Sequence, residues 1–148
     1  MVTAFFDGAC SPQNPKGAMG LGCIINEDKK RIMEYAGFVD FNECNSSNVA
    51  EYLAFENVID WLLENGYQDD EILIMGDSKM VVMQMNKRWG INDGYYVFVA
   101  WRCKEKVKEF SNLRIQWIPR EHNHKADALS NQEFLKRGIK LFEKKVWK

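Results

Sequence analysis

Hydrophobic residues recur along this chain in two rhythms. Residues 2–6 (Val2, Thr3, Ala4, Phe5, Phe6) form an apolar, β-prone run that reads as a buried strand and ends on Asp7-Gly8. Residues 72–75 repeat the shape, with Gly76-Asp77-Ser78 at their end. Between these runs, residues 20–25 and 31–39 read as two further strands joined by a turn at Asn26-Glu27-Asp28-Lys29. The stretch from Gly8 to Gly17 holds Pro12 and Pro15 and reads as a loop. Three successive strands with short links predict an antiparallel meander. Residues 113–118 make a fifth strand, ended by Pro119.

The second rhythm is helical. Val49, Leu53, Val58, Ile59, Leu62 and Leu63 fall at helical spacing. Ser46, Ser47 or Asn48 can cap the start, and Asn65-Gly66 supplies a stop. A short helix is expected from near Ser78, carrying Met80, Val81, Val82 and Met85. Residues 87–94 form a linker. Residues 95–110 read as an amphipathic helix with Val99, Cys103, Val107 and Phe110 on one face and lysines opposite. A last helix starts near Asn123 and runs towards Phe134, and Gly138 breaks it. The expected division is one domain over 1–137 and a basic C-terminal extension over 138–148. That extension is expected to cover part of the sheet or helix layer, with a nucleic-acid arm as the alternative.

The order is three strands, then helix, strand, helix, strand, helix. A helical crossover before the fourth strand implies a parallel return. The fold class is therefore α/β: a five-stranded mixed sheet, made of a three-strand antiparallel meander plus two parallel strands, flanked by helices. Chain direction then places Asp7 and Asp77 at the carboxyl ends of strands. Glu51 and Asp127 fall in the first turns of helices that begin at the same end, where ligand sites of α/β sheets lie. Singly, these acids have ordinary readings as helix-dipole partners or caps. Together they repel one another unless protonated or neutralised. A divalent metal is the simplest neutraliser. Hard oxygen ligands, in a chain with only two histidines, favour Mg²⁺ or Mn²⁺ over Zn²⁺. Two such ions roughly 4 Å apart suit in-line phosphodiester hydrolysis.

Composition narrows the setting. With 148 residues, 46% hydrophobic and 28% charged, the chain reads as one ordinary soluble domain. It has no apolar run long enough to span a bilayer and no signal-peptide pattern, so no membrane partner is expected. Cys10, Cys23, Cys44 and Cys103 form no C-x-x-C pair, which points to a reducing, cytoplasmic setting. The formal net charge of −1 means that any basic surface for nucleic acid must be local. A monomer is expected.

Asp7-Gly8-Ala9-Cys10, Asn14-Pro15 with Gly17, Ala50-Glu51-Tyr52, Gly76-Asp77-Ser78 and Asn123-His124-Lys125-Ala126-Asp127-Ala128-Leu129-Ser130 resemble the type 1 ribonuclease H family. The resemblance runs from Val2 to about Phe134, in order and on the expected elements. It implies a ribonuclease H-like fold, in a short form without the basic protrusion of longer bacterial members. It further implies a Mg²⁺-dependent endonuclease that cleaves the RNA strand of RNA–DNA hybrids and leaves 3′-hydroxyl and 5′-phosphate ends. By position, Asp7, Glu51, Asp77 and Asp127 would hold two Mg²⁺ ions, with Mn²⁺ able to substitute. One ion would activate water and the other would stabilise the leaving oxygen. Cys10, Asn14, Ser46, Ser47 and Asn48 match positions that touch the hybrid, whose 2′-hydroxyls mark the RNA strand. A histidine before the last aspartate would assist proton transfer or product release. His122 is the candidate, lying further from the helix start than His124.

Two features have paired readings. Lys79, beside Asp77, is either a phosphate contact or an idle surface lysine. Trp89, with Lys87 and Arg88, either partly replaces the missing grip on the hybrid or packs against the helix layer. Two other functions remain open: a nucleic-acid-binding domain of this fold without catalysis, and a same-fold nuclease for another duplex such as double-stranded RNA. The intact acid set argues against the first. Superfamily exonucleases usually carry Asp-x-Glu on the first strand, and retroviral-type integrases order their acids Asp, Asp, Glu. This chain has Asp7-Gly8-Ala9 and the order Asp, Glu, Asp, Asp.

Overall fold

The structure is a computed structural model and describes residues 1–142. Five strands, β1 (Val2–Ser11), β2 (Ala18–Glu27), β3 (Lys30–Val39), β4 (Ile72–Gly76) and β5 (Leu113–Trp117), form one sheet in the order β3-β2-β1-β4-β5. The β1–β2 and β2–β3 pairs are antiparallel, and β1–β4 and β4–β5 are parallel. This is the mixed sheet expected from the sequence, with β1 central.

The chain departs from expectation just after Asp7. β1 does not stop there but continues to Ser11, paired with β2 as far as Ser11↔Ala18. The Gly and Pro signals placed the loop too early because cross-strand pairing outweighs the weak strand preference of Gly8. The β4 ladder, by contrast, ends at Phe6↔Gly76. Asp7 is therefore the first β1 residue without a β4 partner, and Asp77 leaves the sheet beside it.

Successive strand residues face opposite sides of a sheet, and this alternation sorts the helices. Gly8 lies under α1 (Ser47–Glu64): a Cβ there would sit 2.2 Å from the Ala50 carbonyl carbon. Asp7 and its β2 partner Gly22 face the other side, under α4 (His124–Lys136). A Cβ on Gly22 would lie 2.1 Å from the Ala126 carbonyl oxygen. The two glycines thus let one helix approach each face beside Asp7.

On the α1 face, Phe6 and Phe55 are fully buried and meet edge to face at 5.4 Å between centroids. Ser46 caps α1, its Oγ accepting from the Val49 N–H. The short α2 (Lys79–Met85) and α3 (Val97–Val107) complete this layer. Tyr52 stacks on Tyr96 at 5.8 Å, the Tyr52 hydroxyl donates to Gln84 Oε1, and Gln84 Nε2 donates to the Gly90 carbonyl at 3.0 Å. This buried polar network ties α1, α2 and the linker into one unit. α3 is shorter than its periodicity predicts, because Tyr96 and Phe110 supply apolar contacts from the turns beyond its ends. Trp89 is 45% exposed, so the packing role considered for it is not what the structure has. Of the C-terminal extension, residues 143–148 lie outside the described residues. No helix among those described is long and apolar enough to cross a membrane.

The glycine contacts predict a stability effect. Gly22→Ala forces a Cβ against backbone that cannot yield easily, and is expected to lower unfolding free energy by about 1–3 kcal/mol, the usual range for overpacking. Urea unfolding of the variant measures this. An unchanged midpoint would mean that α4 is free to lift off the sheet.

Candidate active site

Asp7, Glu51 and Asp77 converge where β1 and β4 part. Each offers a carboxylate oxygen, and these oxygens lie within 4.8 Å of one another. Asp7 and Glu51 are buried and Asp77 is half-buried. Glu51 comes from just beyond the first turn of α1, one step later than expected, because that helix begins at Ser47. Its Oε2 accepts from the Gly8 N–H at 3.2 Å, so the backbone of the central strand orients the α1 carboxylate. Asp127 projects from the first turn of α4 into the same cavity of about 330 Å³. The four acids named from the sequence therefore share one cavity, three in a tight cluster and the fourth at its edge.

Electrostatics make Asp7 the unusual member. Burial raises its carboxyl well above the ordinary carboxylate range, and the charges of Asp77 and Asp127 raise it further, against the opposing pull of the Ser130 hydroxyl. Ser130 Oγ lies 2.9 Å from Asp7 Oδ2 and 2.7 Å from the Asp127 carbonyl oxygen. One hydroxyl hydrogen cannot serve both acceptors fully. The arrangement suits either a proton or a cation at Asp7. Its donors are all hard oxygens, which fit Mg²⁺ or Mn²⁺ better than Zn²⁺.

Around the acids, Cys10, Asn14, Ser47, Asn48 and Lys79 line the cavity. Asn14 and Ser47 lock reciprocally: Asn14 Nδ2 donates to Ser47 Oγ at 2.9 Å, and the Ser47 N–H donates to Asn14 Oδ1 at 3.0 Å. The Cys10 thiol donates to the Gln13 carbonyl. Lys79 Nζ sits 5.5 Å from the centroid of the Trp117 ring, which holds the ammonium at the rim by a cation–π contact. Trp117 Nε1 also donates to the Asp77 carbonyl at 3.3 Å.

Three sequence candidates stand elsewhere. Ser46 is the α1 cap and does not line the cavity, and Trp89 is also outside it. His122 ends a single 3₁₀ turn, Arg120–His122, and lines a separate hollow together with His124. Arg120 occupies the side of that turn facing the acids, with Nη2 3.8 Å from Asp127 Oδ1. The sequence reading missed Arg120. Its signal was a guanidinium directly after the strand-ending Pro119, obscured by two nearby histidines. Leu141 and Phe142 were missed too. They reach the cavity edge, where the Phe142 N–H donates to Ser11 Oγ at 3.0 Å.

A mixed sheet of this order, with helices on both faces and carboxylates gathered beside the central strand, defines the ribonuclease H-like class. A family model described as reverse transcriptase-like matches residues 5–133, and the chain belongs to that family. It is 32% identical over 131 residues to ribonuclease HI of Halobacterium salinarum, covering 88% of this chain and 63% of that protein's length. The crystal structure of RNase H1 from Halobacterium salinarum NRC-1 superposes with a TM-score of 0.79 at 28% identity, covering 91% of this chain and 98% of that one. LC11-RNase H1 in complex with an RNA/DNA hybrid gives a TM-score of 0.81 at 25% identity, covering 93% and 99%.

The raised Asp7 carboxyl sets a pH dependence for the metal-free protein. Below the carboxyl value of the unfolded chain both states hold the proton. As pH rises past it, the unfolded chain releases its proton first, and the folded state loses stability until the higher folded value is passed. Asp7→Asn removes this penalty. In EDTA its melting temperature is expected to exceed that of the parent by a margin that widens as pH rises above the ordinary carboxylate range of about 4. Scanning calorimetry over rising pH decides the point, and a margin that shrinks with pH contradicts the assigned burial of charge.

Proposed function

We propose that this chain is a metal-dependent endoribonuclease that hydrolyses the RNA strand of RNA–DNA hybrids and leaves 3′-hydroxyl and 5′-phosphate ends. The observation that carries the reading is the cluster of Asp7, Glu51 and Asp77 oxygens within 4.8 Å, with Asp127 on the same cavity. A cluster of acids repels a polyanion unless it holds cations, so its place in an open cavity is hard to explain by binding alone. The likeness to LC11-RNase H1, solved with an RNA/DNA hybrid, supports the choice of substrate.

In this reading Asp7, Glu51, Asp77 and Asp127 would hold two Mg²⁺ ions, with Mn²⁺ as a substitute. Bound there, the cations would supply a hydroxide-like nucleophile and neutralise charge on the leaving 3′-oxygen. The protein's own groups do the rest. Glu51 is kept in place by the Gly8 N–H, so its carboxylate needs little reorganisation. Asp7 would hold its share of the cations as a carboxylate, the form a hard-metal ligand must take. Asn14, Ser47 and Asn48 lie along one wall and contact the sugar–phosphate backbone, while Cys10 lies beside them. Lys79 and Arg120 stand on other parts of the rim and pair with phosphate oxygens. Arg120 also balances the charge of Asp127.

The test is cleavage of labelled RNA in an RNA–DNA hybrid, beside single-stranded RNA, double-stranded RNA and double-stranded DNA, with Mg²⁺, Mn²⁺ or EDTA. Hybrid cleavage that needs a divalent cation is expected. Asp77→Asn is expected to lose at least about 10²–10³-fold in turnover, as for removal of a group that stabilises transition-state charge. It should also lose the rise in melting temperature that Mg²⁺ gives the parent. A folded Asp77→Asn protein with full activity would refute the site assignment. Cleavage of double-stranded RNA in preference to the hybrid would refute the substrate. Arg120→Ala is expected to weaken turnover by about tenfold or more, the loss of one charge-assisted contact.

A further inference from the structure

Trp117, the last residue of β5, stands beside the carboxylate cavity without lining it. It pairs with Gly76, the residue before Asp77, and β5 is an edge strand of the sheet. The indole is 42% exposed, yet two contacts fix its orientation. Its Nε1–H donates to the Asp77 carbonyl at 3.3 Å, and Lys79 Nζ lies 5.5 Å from the ring centroid. One ring therefore touches the backbone of a cavity acid with its edge and a cavity cation with its face.

Lys79 is the first residue of α2, directly after the cap Ser78, and it lines the cavity. Helix stability does not explain a cation at that position, because the start of a helix favours negative charge. A lysine side chain also has much rotamer freedom to lose when it meets a phosphate. A ring face that already holds the ammonium reduces that loss. The ammonium carries three donors, so it can rest on the ring and still pair with a phosphate oxygen. Arg120, three positions after Trp117, reaches the same cavity beside Asp127. The end of β5 thus supplies one rim cation from the turn that follows it and holds a second through its indole.

We propose that Trp117 is a positioning residue for the nucleic-acid strand: its indole holds the Lys79 ammonium at the rim, where the ammonium pairs with a backbone phosphate. The role presupposes the reading of the cavity as a hybrid-cleaving site, and it adds a means by which a chain of net charge −1 grips a polyanion locally. Trp117 does not itself touch the strand, so its contribution passes through Lys79.

The experiment is a double-mutant cycle on the affinity for a fluorescently labelled RNA–DNA hybrid, read by anisotropy at several salt concentrations. Ca²⁺ replaces Mg²⁺, so that a larger and more loosely coordinated cation neutralises the acids. Trp117→Leu is expected to weaken binding about two- to fivefold, the worth of an exposed cation–π contact. Lys79→Gln should weaken it at least as much and lower the slope of log affinity against log salt by about 1, as for one lost phosphate contact. In the Lys79→Gln background, Trp117→Leu should change affinity by less than about 1.5-fold, because the two residues act as one unit. Trp117→Thr, suited to an edge strand, serves the same cycle should the Leu variant fail to fold. A merely structural Trp117, or an indole that stacks on the nucleic acid, would weaken binding equally with and without Lys79. Equal losses in both backgrounds therefore overturn the proposal, as do an unchanged affinity in folded Trp117→Leu and a parent that does not bind the hybrid. Cleavage in Mg²⁺ is measured separately. Binding with a non-additive cycle but no cleavage refutes the cleavage reading alone, and cleavage with an additive cycle refutes the role of Trp117 alone.

Discussion

Carboxylates whose oxygens lie within 4.8 Å of one another, two of them on buried residues, cannot all remain ionised without compensation. That repulsion is the constraint around which the fold is arranged. No element carries more than one of the four acids: Asp7 sits on β1, Glu51 on α1, Asp77 just past β4 and Asp127 on α4. Gly8 and Gly22 matter because they remove the side chains that would keep α1 and α4 away from Asp7. The burial that results raises Asp7, and a proton or a cation is then the means by which the site reaches neutrality.

Such a site needs a stiff frame, and the helix layer supplies one. Glu56 lies on α1 five residues after Glu51. Arg102 of α3 reaches it with Nε at 2.9 Å and Nη2 at 2.7 Å, and Lys106 adds a contact at 3.2 Å. Burial alone would raise the Glu56 carboxyl, yet these cations hold it below the usual range, so it remains ionised and bound. Lys106 also pairs with Asp60 at 2.8 Å. With the Tyr52–Gln84–Tyr96 contacts, this fixes the position of α1 from its outer side. The same helix is oriented from its inner side by the Gly8 N–H on Glu51. The carboxylate is therefore held by interactions at both its base and its tip, and little of its geometry is left to solvent.

Much of this was legible in the sequence because it follows from period and chain direction. Two apolar runs ending in Gly or Asp, a helical crossover and acids at helix starts are enough to bring Asp7, Glu51, Asp77 and Asp127 to one end of a mixed sheet. What escaped depends on contacts between distant residues. The ladder beyond Asp7 exists because Cys10 and Ser11 find Met19 and Ala18, and local Gly and Pro signals say nothing about that pairing. The approach of Phe142 to Ser11 joins residues 131 positions apart. Arg120 and His122 are separated by two positions on one tight turn, and the geometry of that turn decides which one meets the acids. Periodicity gives no information about it.

That last choice bears on the chemistry. An imidazole near the acids would gain and lose a proton close to neutral pH. The guanidinium of Arg120 offers hydrogen-bond donors and no acceptor. It can neutralise Asp127 or grip a phosphate oxygen, but it cannot take a proton and return it. With His122 on another surface, the cavity carboxyl that burial and neighbouring charge push well above the ordinary range is that of Asp7. The turn after β5 thus does more than connect a strand to a helix: it turns a guanidinium towards Asp127 and carries both nearby imidazoles to a different surface of the sheet.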